Sequence, residues 1–178
     1  SHLNYCIPIW GSTAKSNLNK LELQQKRAVR IITNSNYNAH TVPLFKLLNV
    51  FPITEQFKYS SLQIMHDYIN HKLPCSFDHT WIRNDQRAER ILRNARLFDI
   101  PYVRLQSFTN FPLSRIPRLW NEIIIPNSNQ DVLQDNNEID IPFFTDMMSK
   151  KQFSKKLKKL LLNELTLLCR RDNCSECN

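Results

Sequence analysis

The sequence HLNYCIPIWGSTAKSNLNKLELQQKRAVRIIT, residues 2–33, decides the predicted fold of this chain. It begins with a short aromatic and apolar segment, which a polar break follows at residues 11–13. From about Asn17 to Ile32, apolar positions recur at spacings of three and four and predict one stripe of an amphipathic helix. The residues of this stripe are Leu18, Leu21, Gln25, Ala28, Val29 and Ile32. The basic residues on the rest of the helix surface are Lys20, Lys26, Arg27 and Arg30.

Two more helices are predicted directly after this one. The asparagine-rich segment 34–38 should end the first helix near Thr33, because asparagine side chains compete for backbone hydrogen bonds and tolerate left-handed turns. Thr41 is predicted to cap a short helix with Pro43 in its first turn, and a third helix should open at Thr54. The residues expected in the core are Leu44, Phe45, Leu47 and Leu48 from the second helix. The third helix is predicted to have one face that comprises Phe57, Ser61, Ile64, Met65 and Tyr68.

The second half of the chain has a weaker pattern. Segment 97–119 is rich in proline and aromatic residues, which favours an extended or hairpin structure over a helix. Asparagine and acidic residues dominate segment 121–142, a composition typical of a linker. A last amphipathic helix is predicted from about Ser149 to Leu168. Its apolar face comprises Phe153, Leu157, Leu160, Leu161, Leu165 and Leu168, and its basic face Lys155, Lys158 and Lys159.

These patterns predict a mainly α fold, a small helical bundle with a short extended or hairpin segment around 97–120 and a separate C-terminal helix. The regions expected are a helical region 1–74, a basic and extended region 75–121, a linker 122–148, and a basic amphipathic helix with a cysteine-rich tail, 149–178. The last helix can either pack on the core or contact RNA or a partner protein.

The composition bounds the function. A single glycine among 178 residues excludes phosphate loops, dinucleotide-binding turns and nucleophile elbows, since all of these need glycine. A net charge of +8 and a pI near 9.4 favour a polyanionic partner. No apolar run approaches the roughly 18 residues that a membrane span needs. The sequence therefore predicts an intracellular protein of the cytoplasm and nucleus with no membrane partner.

A metal site is suggested near the end of the chain. Cys169, Cys174 and Cys177 form a C-x4-C-x2-C pattern, and thiolates at this spacing can supply three ligands of a zinc ion. Tetrahedral zinc needs a fourth ligand, which would have to come from elsewhere, and the alternative is that these cysteines are simply reduced. His66 and His71 lie five residues apart, unlike the i, i+4 pair of a metalloprotease helix, and are predicted to be polar surface or half-buried residues.

Several phrases of the sequence resemble a known family. The first set comprises His2-Leu3, Tyr5-Cys6, Trp10-Gly11, Leu21-Glu22, Gln25, Lys26-Arg27-Ala28 and Arg30-Ile31-Ile32. It is similar to the segment that follows the catalytic palm in reverse transcriptases of non-LTR retrotransposons, the jockey-type and chicken-repeat-type elements. There a "SHLxYCxxxWG" phrase leads into a "LExxQxRAxRxI" helix, which is usually assigned to the polymerase thumb. Later phrases with this resemblance are His40-Thr41, Pro43-Leu44-Phe45, Leu47-Leu48, Asn94-Ala95-Arg96, Ile100-Pro101 with Arg104, Leu119-Trp120-Asn121, and Phe153, Lys156-Leu157-Lys158 and Leu161-Leu162.

The resemblance implies a thumb-like first region and a non-catalytic role. Polymerisation in this family needs an acidic pair that holds metal ions, and no Asp-Asp pair occurs in this sequence. No catalytic residue is therefore expected in this sequence. Magnesium would bind to the palm of the parent reverse transcriptase, which this sequence lacks. The opening at Ser1, in the middle of a family phrase, predicts a fragment of a longer polyprotein.

The work implied by the resemblance is to hold template RNA or an RNA–DNA hybrid against the polymerase palm and fingers. The predicted backbone contacts are Lys20, Lys26, Arg27 and Arg30, with Arg83, Arg87 and Arg90 as a second patch and Trp10 as a stacking residue. Ordinary solvated faces would explain the same basic residues, and Trp10 and Trp120 would equally suit a core. Other interpretations are a structural module that braces the polymerase core, a zinc-binding nucleic-acid-binding tail, and a decayed copy without function.

Overall fold

The structure is a computed structural model that describes residues 2–78, 80–82, 98–100, 102, 104–128 and 148–167. Its α-helices are α1 (Ile7–Trp10), α2 (Lys15–Ile32), α3 (Thr41–Leu47), α4 (Ile53–Ile69), α5 (Gln106–Thr109), α6 (Pro112–Ser128) and α7 (Lys150–Leu167). Short 3₁₀ turns occupy His2–Asn4 and Cys75–Phe77, and no β-strand occurs among the described residues. The prediction of a mainly α fold is confirmed. No described helix is both long enough and apolar enough to cross a membrane.

The described residues fall into two compact units. The first lies within Ser1–Ser60 and Ser154–Asn178, and the second lies within Ser61–Phe153. The expected division into four regions is a different description of the chain and stays a prediction. Helix α6 nevertheless continues to Ser128, so the linker does not begin at residue 122.

Three successive helices end in the same backbone motif without a glycine. After α2, the Ser35 N–H donates to the Arg30 carbonyl at 2.9 Å and the Asn34 N–H donates to the Ile31 carbonyl at 3.1 Å, the hydrogen-bond pattern of a Schellman cap. Helices α3 and α4 end in the same pattern. The residues that take the left-handed position are Asn34, Asn49 and His71, with φ angles of 50°, 54° and 52°. The predicted end of the first helix near Thr33 is thus confirmed, and asparagine does occupy left-handed positions.

The core of the first unit is built from fewer residues of α2 than expected. On the predicted stripe Val29 is buried, whereas Leu21 and Ala28 are exposed and Ile32 is 68% exposed. The core comes instead from Ile7, Phe45, Phe51, Ile53, Phe57, Leu157, Leu161 and Leu165. A spacing of three and four residues between apolar positions shows that a helix has an apolar face. It does not show that other residues of the same chain bury this face.

Helix α3 also corrects two details. His40 is its N-cap residue, without a side-chain hydrogen bond to the helix, and Thr41 is the buried first residue of the helix. Leu47 is 75% exposed rather than part of the core. Phe45 is fully buried as predicted, and it lies on the opposite side of this short helix.

Gly11, the single glycine, is required for space rather than for backbone freedom. Its φ of −68° and ψ of −8° are ordinary helical angles. A Cβ atom at this position would lie 2.6 Å from both the Ile7 carbonyl oxygen and a ring carbon of Phe57, well inside van der Waals contact. The Trp10-Gly11 phrase therefore allows the end of α1 to pack against α4.

The second unit contradicts the prediction of extended structure over 97–120. Residues 98–100 and the described residues up to 105 lie outside helices, but α5 and α6 are helical. Pro112 suits the first position of α6, where a missing N–H costs nothing. Pro117 lies within the helix and leaves the Leu113 carbonyl without its usual donor. The indole N–H of Trp81 supplies that hydrogen bond at 2.8 Å, a compensation that proline content alone cannot reveal.

Helix α7 agrees with its prediction except at Lys158, which is half-buried and lies 6.0 Å from the centroid of the Phe51 ring instead of on the exposed basic face; Leu168 lies outside the described residues. It extends over Lys150–Leu167, and its residues Phe153, Leu157, Leu161 and Leu165 are buried. Lys155 and Lys159 are exposed on its other side. Trp120 of α6 is fully buried and stacks on Phe153, with 5.8 Å between ring centroids, so it is a core residue.

Candidate nucleic-acid interface

The basic side chains of α2 differ in their availability for an anionic ligand. Lys20 and Arg27 are exposed, lie on the same side of the helix two turns apart, and pair with no carboxylate of the described residues. Lys26 forms an ion pair with Glu22 one turn earlier, at 2.7 Å, which partly neutralises its charge. Of the predicted backbone contacts, Lys20 and Arg27 are therefore the most available.

Arg30 has a structural contact that orients its guanidinium group. Its Nε–H donates to the Ala39 carbonyl at 3.0 Å, and its guanidinium carbon lies 5.9 Å from the centroid of the Tyr37 ring. A guanidinium carries further N–H donors on its two Nη atoms, and one bond at Nε leaves those donors for another ligand. The segment after α2 is thus tied to the helix by the same side chain that can bind a phosphate.

A shallow groove of about 460 Å³ lies at this end of α2. It is lined by Arg27, Arg30, Ile31, Asn34, Ser35 and Tyr37. Two guanidinium groups, an exposed aromatic ring and small polar side chains in one groove can contact phosphates, sugars and the face of a base. The groove therefore brings together two predicted residues, Arg27 and Arg30, with three polar or aromatic residues that were not predicted.

The helix dipole opposes anion binding at this position, because the C-terminal end of a helix carries partial negative charge. The Schellman cap and the Thr33 hydroxyl, which donates to the Val29 carbonyl at 2.9 Å, satisfy carbonyl groups of the last turn. The arginine side chains extend the positive charge beyond these carbonyls. The site is therefore a side-chain site, in which removal of one arginine should have a clear effect.

Tyr37, Asn34 and Ser35 were not predicted as site residues, because segment 34–38 was predicted only to form a turn. Tyr37 is 78% exposed. An aromatic residue that follows a basic helix within ten residues was the signal available in the sequence. Its position beside Arg30 depends on the bond between Arg30 and Ala39, which the sequence does not show.

Trp10 is half-buried and does not lie in this groove. Its indole N–H donates to the Tyr5 carbonyl at 2.7 Å, which fixes the ring within the N-terminal turn. A stacking role for Trp10 stays a prediction, but its clear contribution in the structure is to the local fold.

Other predicted site residues lie outside the described residues. These are Arg83, Arg87 and Arg90 of the second patch and Cys169, Cys174 and Cys177 of the possible zinc site. Within the residues that the structure describes, no group of three or more His, Cys, Asp or Glu side chains is arranged to hold a metal ion.

His66 is more deeply buried than predicted. Its ring is fully buried, stacks on Phe153 at 4.3 Å between centroids, and places Nε2 3.3 Å from the Met148 carbonyl. Burial lowers the pKa of His66 below its ordinary value, and the Met148 carbonyl and the Asp67 carboxylate only partly oppose this effect. His66 is therefore a neutral core residue at physiological pH, and His71 is exposed at the end of α4.

Two side-chain amides, in the sequence phrases that resemble the reverse-transcriptase family, hydrogen-bond with backbone groups as a neighbouring β-strand would. The Gln25 amide donates to the Phe51 carbonyl at 2.7 Å and accepts from the Ile53 N–H at 2.9 Å. The Asn121 amide donates to the Phe98 carbonyl at 2.9 Å and accepts from the Phe98 N–H at 3.2 Å. The Asn121 amide satisfies both backbone polar groups of Phe98, and the Gln25 amide satisfies the Phe51 carbonyl and the N–H of Ile53, the first residue of α4. These residues therefore position the fold rather than a ligand.

Comparison with known proteins gives one informative similarity. The chain is 42% identical over 52 residues to a probable RNA-directed DNA polymerase from transposon BS of Drosophila melanogaster. This match covers 29% of the chain and only about 6% of the length of that relative. No protein-family profile matches the chain, and no solved structure matches it. The match supports a relationship to retrotransposon reverse transcriptases.

Proposed function

We propose that this chain is a non-catalytic part of the reverse transcriptase of a non-LTR retrotransposon, of the jockey or chicken-repeat type. In this proposal it follows the palm, includes the thumb, and holds template RNA or the RNA–DNA hybrid. The partial similarity to a transposon RNA-directed DNA polymerase supports the relationship. The groove at the end of α2, with Arg27, Arg30 and Tyr37, is the observation that carries the binding role.

The proposed contacts are directed at the sugar–phosphate backbone. Lys20 and Arg27 are separated by seven residues, or about 10 Å along the helix axis, so they can bind different phosphates of one strand. Arg30 is held in place by its bond to the Ala39 carbonyl and lines the groove, and Tyr37 can stack on a base or a sugar. Such contacts hold nucleic acid without reading its sequence. The magnesium ions and carboxylates of polymerisation belong, in this proposal, to the palm.

A salt series on purified protein tests this role. Fluorescence anisotropy would measure the affinity for labelled single-stranded RNA and for an RNA–DNA hybrid at several salt concentrations. Loss of one phosphate contact in Arg27→Gln should reduce the slope of log affinity against log salt by about 0.7 for the single strand and somewhat more for a duplex. Lys20→Gln should have a similar effect, since its ammonium is equally exposed.

Lys15→Gln is the matched control. Lys15 is exposed on the same helix, and it lies twelve residues, or about 18 Å, before Arg27. The control removes the same charge and should leave the slope nearly unchanged. Equal effects of Lys15→Gln and Arg27→Gln would show non-specific attraction to a basic protein, and the proposed groove would be refuted. Arg30 is less suitable as a first variant because its loss also removes the contact with Ala39.

A second candidate function is supported by apolar exposure. Tyr5 is 79% exposed, Ile31 is 78% exposed, and Ile9 and Ile32 are also largely exposed. Exposed apolar residues of this size can mark contact with another protein surface, in keeping with a module that braces the polymerase core. Ile9→Ser with Ile32→Ser should then weaken co-purification with a separately expressed palm but leave RNA affinity unchanged, because neither residue lines the groove at the end of α2. Retention of the palm by this variant would argue against the bracing role.

A further inference from the structure

A second concave site lies in the first unit, away from the groove residues. It is a cleft of about 420 Å³, a size typical of small-ligand sites. Its lining comprises Leu3, Asn4, Ile7, Gln25, Asn49, Val50, Phe51, Ile53, Gln56, Tyr59 and Lys158. Ile7, Phe51 and Ile53 are buried and form an apolar floor, whereas Lys158 supplies a positive charge.

The aromatic residues of the cleft offer a surface for a flat group. The rings of Phe51 and Tyr59 lie 5.3 Å apart between centroids and are tilted by 43°. Phe51 is buried beneath the cleft, and Tyr59 is only half-buried, so Tyr59 has ring surface left for a ligand. Leu3 and Val50 are each more than two-fifths exposed at the opening. A planar ring can therefore be held between aliphatic groups and an aromatic side chain.

The polar residues of the cleft suit the edge of a nucleobase. Gln25 is already occupied by the backbone groups of Phe51 and Ile53. Asn4 and Asn49 are exposed, and their side-chain amides each carry donors and an acceptor. Asn49 is also fixed in the left-handed backbone position that ends α3, so its location at the cleft is set by the cap. Amides that carry both donors and an acceptor can pair with base edges, as asparagine and glutamine do with adenine.

Lys158 adds a charge that an apolar ligand would leave unpaired. Its ammonium lies 6.0 Å from the centroid of the Phe51 ring, and within the described part of the chain it pairs with no carboxylate. A purely apolar side chain of a partner protein would cover this ammonium without balancing its charge, which is unfavourable. A ligand with an aromatic ring, polar edges and a negative charge satisfies all three parts of the cleft.

We infer that this cleft binds one unpaired nucleotide of a single-stranded RNA, with the base over Tyr59 and the phosphate at Lys158. The inference rests on the proposed function only in that the ligand is nucleic acid. The cleft would distinguish unpaired from paired bases, because the hydrogen-bonding edge of a paired base is occupied by its partner base. The groove at the end of α2 would hold the backbone, and the cleft would favour single strands over hybrids.

Three probes separate base binding from backbone binding. They are a labelled single-stranded oligoribonucleotide, an abasic oligonucleotide of the same length, and an RNA–DNA hybrid. Val50→Trp should fill the cleft, and Lys158→Gln should remove its charge. We expect Val50→Trp to weaken binding of the base-containing single strand by about ten-fold, the scale of one stacked base, and to leave the abasic strand and the hybrid unchanged.

Lys155→Gln is the matched control for Lys158→Gln, because Lys155 is exposed on the same helix and does not line the cleft. Lys158→Gln should weaken single-strand binding several-fold more than Lys155→Gln does. Equal effects of the two lysine variants, or an equal loss on all three probes, would overturn the inference. So would unchanged RNA binding by Val50→Trp with loss of palm binding, since the cleft would then hold a protein side chain.

The proposed function and this inference fail separately. If Arg27→Gln has no effect on any probe but Val50→Trp still weakens the single strand selectively, the groove proposal alone is refuted. If Arg27→Gln weakens all three probes and Val50→Trp weakens none, the cleft inference alone is refuted. Lys158→Gln keeps the inference testable if Val50→Trp fails to fold, because it changes a half-exposed side chain without adding volume.

Discussion

Replacement of Gln25 by methionine should destabilise the protein strongly, although Gln25 lies on a helix surface. Methionine has nearly the same length but cannot replace the two hydrogen bonds to the Phe51 carbonyl and the Ile53 N–H. Both partner residues are buried, at 4% and 3% exposure, so water can reach their backbone groups only poorly. Each polar group left without a partner costs about 1–3 kcal/mol. Two such groups together cost about 2–6 kcal/mol, and because Gln25 itself is half-buried we expect a loss in the lower half of that range, about 2–4 kcal/mol.

The assay is urea unfolding followed by circular dichroism. With a slope of about 2 kcal/mol per molar urea, the Gln25→Met midpoint should fall by about 1–2 M. Gln24→Met is the matched control, because Gln24 is the exposed neighbour on the same helix, and it should change the free energy of unfolding by less than about 0.5 kcal/mol. Equal midpoints for the two variants would refute the structural role of the Gln25 amide.

Gln25→Glu tests whether the amide nitrogen of Gln25, and not its oxygen, faces the Phe51 carbonyl. The carboxylate keeps an acceptor for the Ile53 N–H but places an oxygen against the Phe51 carbonyl, where glutamine has a donor. A protonated carboxyl restores the donor, so folding should raise the pKa of the introduced carboxyl group above its unfolded value near 4.3. Stability is then retained below the unfolded pKa and lost as pH rises through the folded pKa. The difference in the free energy of unfolding between Gln25→Glu and the natural protein should therefore shrink as the pH falls. A difference that grows on acidification would contradict this geometry.

Three further results are expected from single changes. Burial lowers the pKa of His66, so its contribution to stability is complete above about pH 6.5 and is lost as the pH falls through the folded-state pKa. His66→Phe should therefore make the melting temperature less sensitive to acid, which thermal melts at several pH values would measure. A steeper loss of stability with acid in His66→Phe would contradict the assignment. Gly11→Ala should lower the free energy of unfolding by about 1–3 kcal/mol, because the new Cβ overlaps the Ile7 carbonyl oxygen and the Phe57 ring, and in urea unfolding it should cost less in a Phe57→Leu background, where the ring is absent. An equal cost of Gly11→Ala in the natural and the Phe57→Leu backgrounds would exclude overlap with the ring. His71→Gly should raise the melting temperature, since glycine removes left-handed strain of about 1 kcal/mol, and a lower melting temperature would show that the exposed imidazole stabilises the turn.

The prediction of extended structure over the proline-rich segment 97–120 was wrong for α5 and α6, and Pro117 shows the reason. Proline at residue 117 counts against a helix because it removes a donor and crowds the preceding turn. Without its usual donor, the Leu113 carbonyl would stay unsatisfied. In the structure Trp81 reaches it from 32 residues earlier in the chain, so the helix α6 forms despite the proline. Interpretation of an isolated segment cannot account for a donor that distant.

The candidate interface was predicted only in part for a similar reason. The basic residues of α2 follow from helical spacing, but their availability does not. Lys26 is partly neutralised by Glu22, which the i, i+4 spacing indicates from sequence. Arg30 is held by the Ala39 carbonyl nine residues later, which no helical period indicates. Tyr37 becomes part of the groove because that bond folds its segment back against the helix.

The sequence by itself determined where most helices lie, how α2 ends and why no glycine-dependent phosphate site can exist. These properties depend on neighbours within a few residues, through side-chain periodicity and backbone preferences, and can therefore be read locally. Only the tertiary structure decided which apolar faces are covered and what the residues of the family phrases do. Gln25 binds backbone groups 26 and 28 residues away, and Asn121 binds Phe98 from 23 residues away. Their hydrogen-bond partners become neighbours only when the chain has folded, because burial leaves those backbone groups in need of a partner that water no longer provides.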